Sequence, residues 1–438
     1  MKLSTSGRGV AVAGEDAIGD QTRPAARRAD SSLGTGFSPT APTAGGRPSL
    51  NPTMTATAAG HTPARALDAV ARARRAVGDP LAAAAAVIAD TAAVAAVPAP
   101  TGGEQARAAW VRERLPGARA DGVGDVLFAP HPGPGAPVVL AAHLDTVFAA
   151  DVPLTVTRDG DRLMAPGIGD NCLAVAALLA AARALEAAGA TARPVVCAFT
   201  VGEEGRGDLR GARAVVADLA PAAFIAVEGH FGDRLATAAV GSTRLEVTMT
   251  GPGGHSWGDR GGPSAVHGLA RAAALVADLP RSPDGAVSVG VIEGGTSVNT
   301  LAARARMEVD LRATDPEELD RLERGARTAV EAAAVREGLD AHVADIGRRP
   351  AGALPAGDPL RDELLAVRDA LGMPAPDESP VSTDANAALG AGLPGATLGL
   401  SRGGGMHTTG EWIHTGPVGL GLLALVASAL VVADRPSG

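Results

Sequence analysis

The sequence predicts an α/β protein that carries an inserted ferredoxin-like domain. In residues 62–240, short runs rich in Val, Ala and Leu alternate with longer Ala-rich runs, as strands and helices do in α/β proteins. Near Gly241 the pattern changes to the strict alternation of a strand with one buried face. The first pattern returns in residues 352–438. We therefore expect one domain from 62–240 and 352–438, with a second domain, 241–351, inserted in it.

Polar residues follow each strand predicted in the first domain. These strands are expected at 137–142, 194–201, 224–227 and 395–400, and helices at 173–188, 359–371 and 419–433. Each strand runs into a segment that contains His, Asp or Glu. Because ligands bind outside the carboxyl ends of strands in open α/β sheets, we expect these segments to share one site.

The inserted domain has its own order of predicted elements. Residues 243–250 alternate, with Leu245, Val247 and Met249 on one face. A helix is predicted next, then two strands, a second helix and a last strand, at 263–279, 286–292, 303–311, 316–336 and 341–346. This βαββαβ order is the ferredoxin-like arrangement.

Composition excludes several classes of function. A chain of 438 residues with 46% hydrophobic and 20% charged residues suits a two-domain globular protein. The net charge is −9 and no basic block occurs, so we expect neither a nucleic-acid nor a membrane partner. The longest apolar stretch, 419–433, is shorter than the roughly 20 residues of a membrane span and is predicted to be a buried helix. Only Cys172 and Cys197 occur, which favours a reducing, cytoplasmic location.

The N-terminal segment, 1–61, has a different composition from the rest of the chain. It is rich in Gly, Pro, Ser, Thr and Arg and has no continuous apolar run of the kind found in a secretion signal. We expect it to be disordered, or to lie upstream of the true start at Met54.

Two clusters of polar residues lie before the helix predicted at 173–188, the second of them directly before it. His143 and Asp145 follow a strand and point to the same side, where the carboxylate can hold the second ring nitrogen of a metal-binding imidazole. A histidine capped by a loop aspartate is the simpler interpretation. Asp170 lies directly before the helix, where it is either an N-cap or a carboxylate that bridges two zinc ions.

Three further clusters follow later strands. Glu203 and Glu204 are adjacent, so one can bind metal while the other holds a water, unless both lie on a surface turn. Glu228 ends an apolar strand, and His407 lies in a glycine-rich loop. Each signal is weak alone, but together they supply the nitrogen and oxygen ligands that Zn²⁺ accepts in catalytic sites.

In the order of these motifs, from about residue 61 to the C-terminus, the sequence resembles the di-zinc metallopeptidase family. This family includes the aminoacylases, carboxypeptidase G, acetylornithine deacetylase and succinyl-diaminopimelate desuccinylase. The resemblance implies a zinc-peptidase-like catalytic domain with two Zn²⁺ per subunit, for which Co²⁺ or Mn²⁺ could substitute. It implies that the terminal ligands are His143, Glu228 and His407, that Asp170 is the bridge and that Glu204 is a further ligand.

The resemblance also implies roles around the metals. Asp145 would orient His143, and Glu203 would be the general base toward a metal-activated water. The inserted domain would be a lid and dimerisation domain, which makes the protein a homodimer. There, His255 would stabilise the oxyanion, often in the partner's site, while Asn299 and Arg312, with Gly404 of the first domain, would bind substrate. A turn histidine, a strand-end asparagine and a solvated arginine are the alternatives for the three residues of the inserted domain.

The implied reaction is hydrolysis of an amide bond, in a small peptide or N-acyl amino acid with a free carboxylate. A deacylase or a biosynthetic amidohydrolase would use the same chemistry, and a non-catalytic dimer that binds amino acids is a more distant alternative. The chain departs from the family pattern at Asn171 and Cys172, where many members have lysine and glycine after the bridging aspartate. Cys172 is expected to fill apolar space, and His230 has no predicted role.

Overall fold

The computed structural model describes residues 62–435, so the extension predicted at 1–61 lies outside the described residues. The helices are α1 (Thr62–Val77), α2 (Pro80–Ala95), α3 (Gln105–Arg114), α4 (Leu173–Ala188), α5 (Arg210–Leu219), α6 (Ala265–Ala277), α7 (Pro316–Glu337), α8 (Leu360–Ala370), α9 (Ala385–Gly390) and α10 (Val418–Ala433).

The strands are likewise numbered in the order in which they occur along the chain. They are β1 (Arg119–Ala120), β2 (Val126–Phe128), β3 (Val138–His143), β4 (Thr157–Asp159), β5 (Arg162–Met164), β6 (Val195–Thr200), β7 (Ala223–Glu228), β8 (Leu235–Ala236), β9 (Ala238–Ala239), β10 (Gly241–Thr250), β11 (Gly254–His255), β12 (Ala286–Gly294), β13 (Thr300–Leu301), β14 (Arg304–Ala313), β15 (Asp340–Arg349), β16 (Gly352–Ala353), β17 (Gly395–Gly399), β18 (Gly403–Gly404) and β19 (Trp412–His414).

The first domain is built on a seven-stranded sheet in the order β1-β2-β6-β3-β7-β17-β8. The four neighbouring strands β6, β3, β7 and β17 run parallel. Alternate residues of β3 belong to different cores, with Leu140 on the side of α1, α2, α4, α8 and α10 and Val139 on the side of α5 and α9. Helices thus cover both faces, which explains why the parallel strands are apolar throughout.

The most apolar helices belong to this core. Within the described residues, the helical segment Ile168–Ala188 is long and apolar enough by length and composition to cross a membrane, as is the bent pair α1–α2 taken together. However, 89% of the most apolar window of Ile168–Ala188 is buried inside the protein, as expected of a core helix. The C-terminal helix, α10, is also buried, as predicted.

The inserted domain is a four-stranded antiparallel sheet in the order β12-β14-β10-β15. The elements follow one another as βαββαβ, and α6 and α7 cover one face of the sheet. The predicted inward residues Leu245, Val247 and Met249 lie in a core separate from that of the first domain. The predicted α/β class with a ferredoxin-like insertion is confirmed, while the lid and dimerisation role of the insertion stays a prediction.

Two features differ from the predicted pattern. Strand β15 continues to Arg349 instead of ending at 346, because its pairing with β10 resumes after a bulge and reaches Ser242. In addition, β18 and β19 form a small sheet with β5 and β4 that no sequence pattern predicted. This small sheet supports the loop that contains His407.

Candidate active site

The five predicted metal ligands meet at one edge of the large sheet. His143 is the last residue of β3 and Glu228 the last residue of β7. Glu204 follows the end of β6, which lies on the other side of β3. Asp170 precedes α4, and His407 lies in the loop between β18 and β19. The carboxyl ends of adjacent parallel strands therefore bring these side chains together, as predicted.

Asp170 lies between the two histidines. Its Oδ1 is 3.0 Å from Nε2 of His143, and its Oδ2 is 3.0 Å from Nε2 of His407. Glu204 approaches the same nitrogen of His407 at 3.2 Å, and Glu228 approaches Nε2 of His143 at 4.0 Å. The cluster therefore consists of two groups of donors that share one carboxylate, which is the arrangement of a two-metal site.

The charges of the cluster favour bound cations. Burial raises the pKa of Glu228 well above its ordinary value, and it raises the pKa of Glu204 to about 7. Hydrogen bonds to Asp170 and Glu204 raise the pKa of His407 to about 10. Three buried carboxylates at one point need positive charge to offset them. Nitrogen and oxygen donors of this kind fit a pair of divalent ions such as Zn²⁺.

Asp145 contacts both the imidazole and the acidic loop. Nδ1 of His143 lies 3.1 Å from the backbone oxygen of Asp145 and 3.5 Å from its Oδ1. The carboxylate also accepts hydrogen bonds from the backbone N–H groups of Glu203 and Glu204, at 3.0 and 2.9 Å, and from the hydroxyl of Thr101. Asp145 is thus placed to orient His143, and it holds the Glu203-Glu204 loop as well.

Glu203 is paired with a buried arginine that the sequence analysis missed. Nη1 of Arg349 donates to Oε1 of Glu203 at 2.8 Å, and Nη2 donates to the backbone oxygen of Glu203. Arg349 is only 5% exposed and reaches the site because β15 runs past its predicted end. The available signal was the arginine directly before Pro350, at the boundary between the two domains.

A cavity of about 340 Å³ opens over the cluster. Arg312, for which substrate binding is predicted, lines it together with Arg244, for which no role was predicted. Both arginines donate to Asp310, Arg312 at 2.7 Å and Arg244 at 3.3 Å. Two guanidinium groups thus share one carboxylate, which leaves this group of three side chains with a net positive charge.

His255 and Asn299 lie close to each other but do not line this cavity. His255 is exposed and pairs with Thr300 between β11 and β13, and Ser256 donates from its backbone to the carbonyl of Asn299 at 2.9 Å. Gly404 lies on β18, and only its neighbours Met406 and His407 reach the cavity. Within one protomer, the structure therefore does not bring these three predicted residues to the cluster.

The atypical residue Asn171 supports Glu228. Its amide nitrogen donates to the carbonyl of Val227 at 2.9 Å, and its amide oxygen accepts from the N–H of Gly229 at 2.9 Å. These two bonds hold the backbone on both sides of Glu228. Cys172 beside it is fully buried and fills apolar space, as expected.

Comparison with known proteins identifies the family of this chain. The model of Peptidase family M20/M25/M40 matches residues 139–430, which is more than half of the chain. A peptidase M20 domain-containing protein of Schizosaccharomyces pombe is 31% identical over 185 residues. This match covers 41% of the chain and 45% of the relative, so the chain matches less than half of that protein's length.

Solved structures share the fold. Aminopeptidase PepT from Bacillus cereus superposes with a TM-score of 0.66 at 20% identity, over 80% of this chain and 99% of that one. YxeP of Bacillus subtilis, described as a dinuclear metal binding peptidase from the M20 family, superposes with a TM-score of 0.60 at 16% identity, over 81% and 99%. The family match, together with the shared fold and the His/Asp/Glu cluster, leads to one conclusion: this chain belongs to peptidase family M20/M25/M40.

Proposed function

We propose that the protein is a di-zinc hydrolase that cleaves an amide bond in a small peptide or N-acyl amino acid with a free carboxylate. The observation that carries this proposal is the position of Asp170 between His143 and His407, with Glu203 beside the same cavity. A carboxylate that is shared by two donor groups, next to a second, unshared carboxylate, suits hydrolysis by an activated water.

The donor groups divide the cluster into two metal positions. His143, Asp170 and Glu228 would hold one zinc ion, and Asp170, Glu204 and His407 would hold the other. When bound, the ions would polarise the substrate carbonyl and lower the pKa of water. Asp170 would keep the two positions adjacent because it belongs to both.

Glu203 is placed to transfer a proton from the attacking water to the leaving amine. It is 4% exposed and lines the cavity beside the ligands. Its Oε1 is held by Arg349, and none of residues 62–435 donates a hydrogen bond to its Oε2. Oε2 would take a proton from the attacking water and return it to the leaving amine.

The arginines would hold the substrate. Arg312 and Arg244 line the cavity and share the single carboxylate of Asp310. A guanidinium binds a carboxylate through two parallel hydrogen bonds, so the excess positive charge suits a substrate with a free carboxylate. Phe231, Val240 and Val381 also line the cavity and would contact the apolar part of the substrate.

Metal analysis with a substrate panel tests the proposal. The purified protein should bind two divalent ions per chain and hydrolyse members of a panel of dipeptides, tripeptides and N-acyl amino acids. The products would separate a peptidase from a deacylase. A zinc-loaded, folded protein that is inactive on every member would contradict the proposed reaction.

Paired substrates test the carboxylate site. Arg312→Ala should raise KM about 10-fold or more for a substrate with a free carboxylate, since a hydrogen-bonded charge pair is lost. The same variant should leave KM nearly unchanged for the matching C-terminal amide. Arg336→Ala, an exposed arginine on α7, is the matched control. An equal effect on both substrates would exclude carboxylate binding by Arg312.

We also propose that the protein forms a homodimer through the inserted domain. Strand β12 is one of the two edge strands of its sheet and exposes Val291 (36%) and Ile292 (55%), which favours pairing with another chain. The position of His255 away from the cavity supports a role in the partner's site. Light scattering tests the dimer, and Ile292→Lys should shift it toward monomer.

Subunit mixing tests the role of His255. His255→Ala and Glu203→Gln chains should each be inactive, but a mixed dimer would contain one site with both residues intact. Random mixing should then restore about a quarter of the activity, because half of the dimers are mixed and each has one working site. No recovery from exchanged subunits would contradict action across the interface.

A further inference from the structure

Next to the predicted metal ligands lies a buried pair, Glu411 and His230, that the proposed mechanism does not use. Glu411 is fully buried and His230 is 5% exposed. Nε2 of His230 lies 2.9 Å from Oε1 of Glu411. Buried ionisable groups are costly unless they are well bonded, so their remaining contacts indicate their role.

Glu411 holds the segment that precedes α4. Its Oε1 accepts hydrogen bonds from the backbone N–H groups of Gly169 and Asp170, at 2.8 Å each, and its Oε2 accepts from Gly167 at 3.0 Å. One carboxylate thus satisfies three backbone donors in the segment directly before α4, which would otherwise be buried without partners. The backbone that carries the shared ligand Asp170 is therefore fixed by Glu411.

The imidazole of His230 fits between two glycines. A Cβ atom at Gly169 would lie 2.4 Å from Nε2 of His230, and one at Gly403 would lie 2.5 Å from Nδ1. A larger residue at either position would displace the ring. Gly169, beside Asp170, and Gly403, on the strand β18 that precedes the His407 loop, thus make room for His230.

These contacts join three ligand segments. Asn171 forms hydrogen bonds with the backbone on both sides of Glu228. His230 lies two residues after Glu228 in the chain. His230 bonds to Glu411, which lies in the same loop as His407. The segments that carry Asp170, Glu228 and His407 are therefore connected by one hydrogen-bonded network that touches none of the predicted ligand side chains.

We propose that Glu411 and His230 are positioning residues that set the metal affinity of the cluster, because they fix Asp170 relative to Glu228 and His407. The inference rests on the proposed function only in that the cluster binds divalent metal. Ligands that are already held in place lose little freedom when an ion binds, so loosening them should weaken metal binding.

The test is a zinc titration of Glu411→Gln. An amide has one acceptor oxygen in place of two, so it cannot satisfy the three N–H groups and His230 together. The Kd for zinc should rise about 10- to 100-fold, as is typical when a group that supports metal ligands is lost. Glu378→Gln, in which a surface ion pair is lost, is the control and should bind zinc as the wild type does. The melting temperature of the metal-free proteins, measured in parallel, separates a loss of fold from a loss of affinity.

A second pair of variants keeps the inference falsifiable if Glu411→Gln does not fold. His230→Gln retains a side-chain N–H donor for Glu411, and His230→Ala does not. The Gln variant should therefore bind zinc more tightly than the Ala variant. Equal, wild-type zinc affinity in both His230 variants, or in a folded Glu411→Gln, would overturn the inference and leave the proposed reaction standing. Conversely, wild-type protein that binds two zinc ions and hydrolyses no substrate would contradict the reaction while the zinc titrations still test this inference.

Discussion

The carboxylate of Asp145 accepts a hydrogen bond from the backbone N–H of Glu203 at 3.0 Å. Its second oxygen accepts from the next N–H in the chain, so a single fully buried side chain fixes two successive peptide groups. Asp145 therefore fixes the backbone of both Glu203, the proposed general base, and Glu204, a proposed metal ligand. The same residue also contacts the ring of His143.

Replacing Asp145 with asparagine should slow turnover. In Asp145→Asn an NH₂ group replaces one acceptor and faces an N–H donor, so one of the two loop contacts is lost. We expect kcat to fall about 10-fold or more at saturating zinc, as is typical for a residue that supports metal ligands. Steady-state kinetics with circular dichroism would check this, and an unchanged kcat would show that the loop does not need Asp145.

Replacing Glu203 with glutamine should separate catalysis from metal binding. Glu203→Gln keeps the shape of the side chain but cannot take a proton, so kcat should fall about 10²- to 10⁴-fold. The metal content should stay at two ions per chain, because Glu203 belongs to neither donor group. Metal analysis and kinetics of the same preparation test both parts, and Glu331→Gln on the exposed face of α7 is the control. More than a tenth of the wild-type kcat in Glu203→Gln would rule out its role as base.

Ligand variants should lose metal in a pattern set by Asp170. Glu204→Ala and Glu228→Ala each remove a donor from one group, so each should lower the metal content toward one ion per chain. Asp170→Ala removes a donor from both groups and should lose the most metal. Elemental analysis after dialysis at a fixed free zinc concentration would rank the three variants. The two-group arrangement fails if Asp170→Ala retains as much metal as Glu228→Ala.

Stability should depend on pH through Asp125. This residue is fully buried, and burial, together with the nearby charge of Asp121, raises the pKa of Asp125 to about 8. The unfolded chain releases the same proton near the ordinary value of 3.8. Between these values the folded state binds more protons, so the free energy of unfolding should decrease as pH rises, by at most about 1.4 kcal/mol per pH unit.

Asp125→Asn removes this titration. Oδ1 would still accept the hydrogen bond from the backbone of Val201, while the charge is lost. Urea unfolding at about pH 5 and about pH 8 should show a smaller loss of stability for the variant than for the wild type. Asp68→Asn, on the exposed side of α1, should behave as the wild type does. Identical pH dependence in Asp125→Asn and the wild type would contradict the raised pKa.

The sequence by itself determined the class of fold and the residues that would meet. Hydrophobic periodicity is a local property, so it placed α4 and the eight predicted strands within a few residues of their observed bounds, while the short strands were not predicted. It also placed His143 and Glu228 at strand ends, and the carboxyl ends of adjacent parallel strands necessarily meet at one edge of the sheet.

Only the tertiary structure decided which contacts those residues make and which other residues hold them in place. It assigned the two oxygens of Asp170 to different histidines, brought Arg349 to Glu203, and left His255 outside the cavity of its own chain. Glu411 bonds to Gly167 across 244 positions of sequence. Such contacts depend on how whole elements pack against one another, and no local pattern of polar and apolar residues encodes that packing.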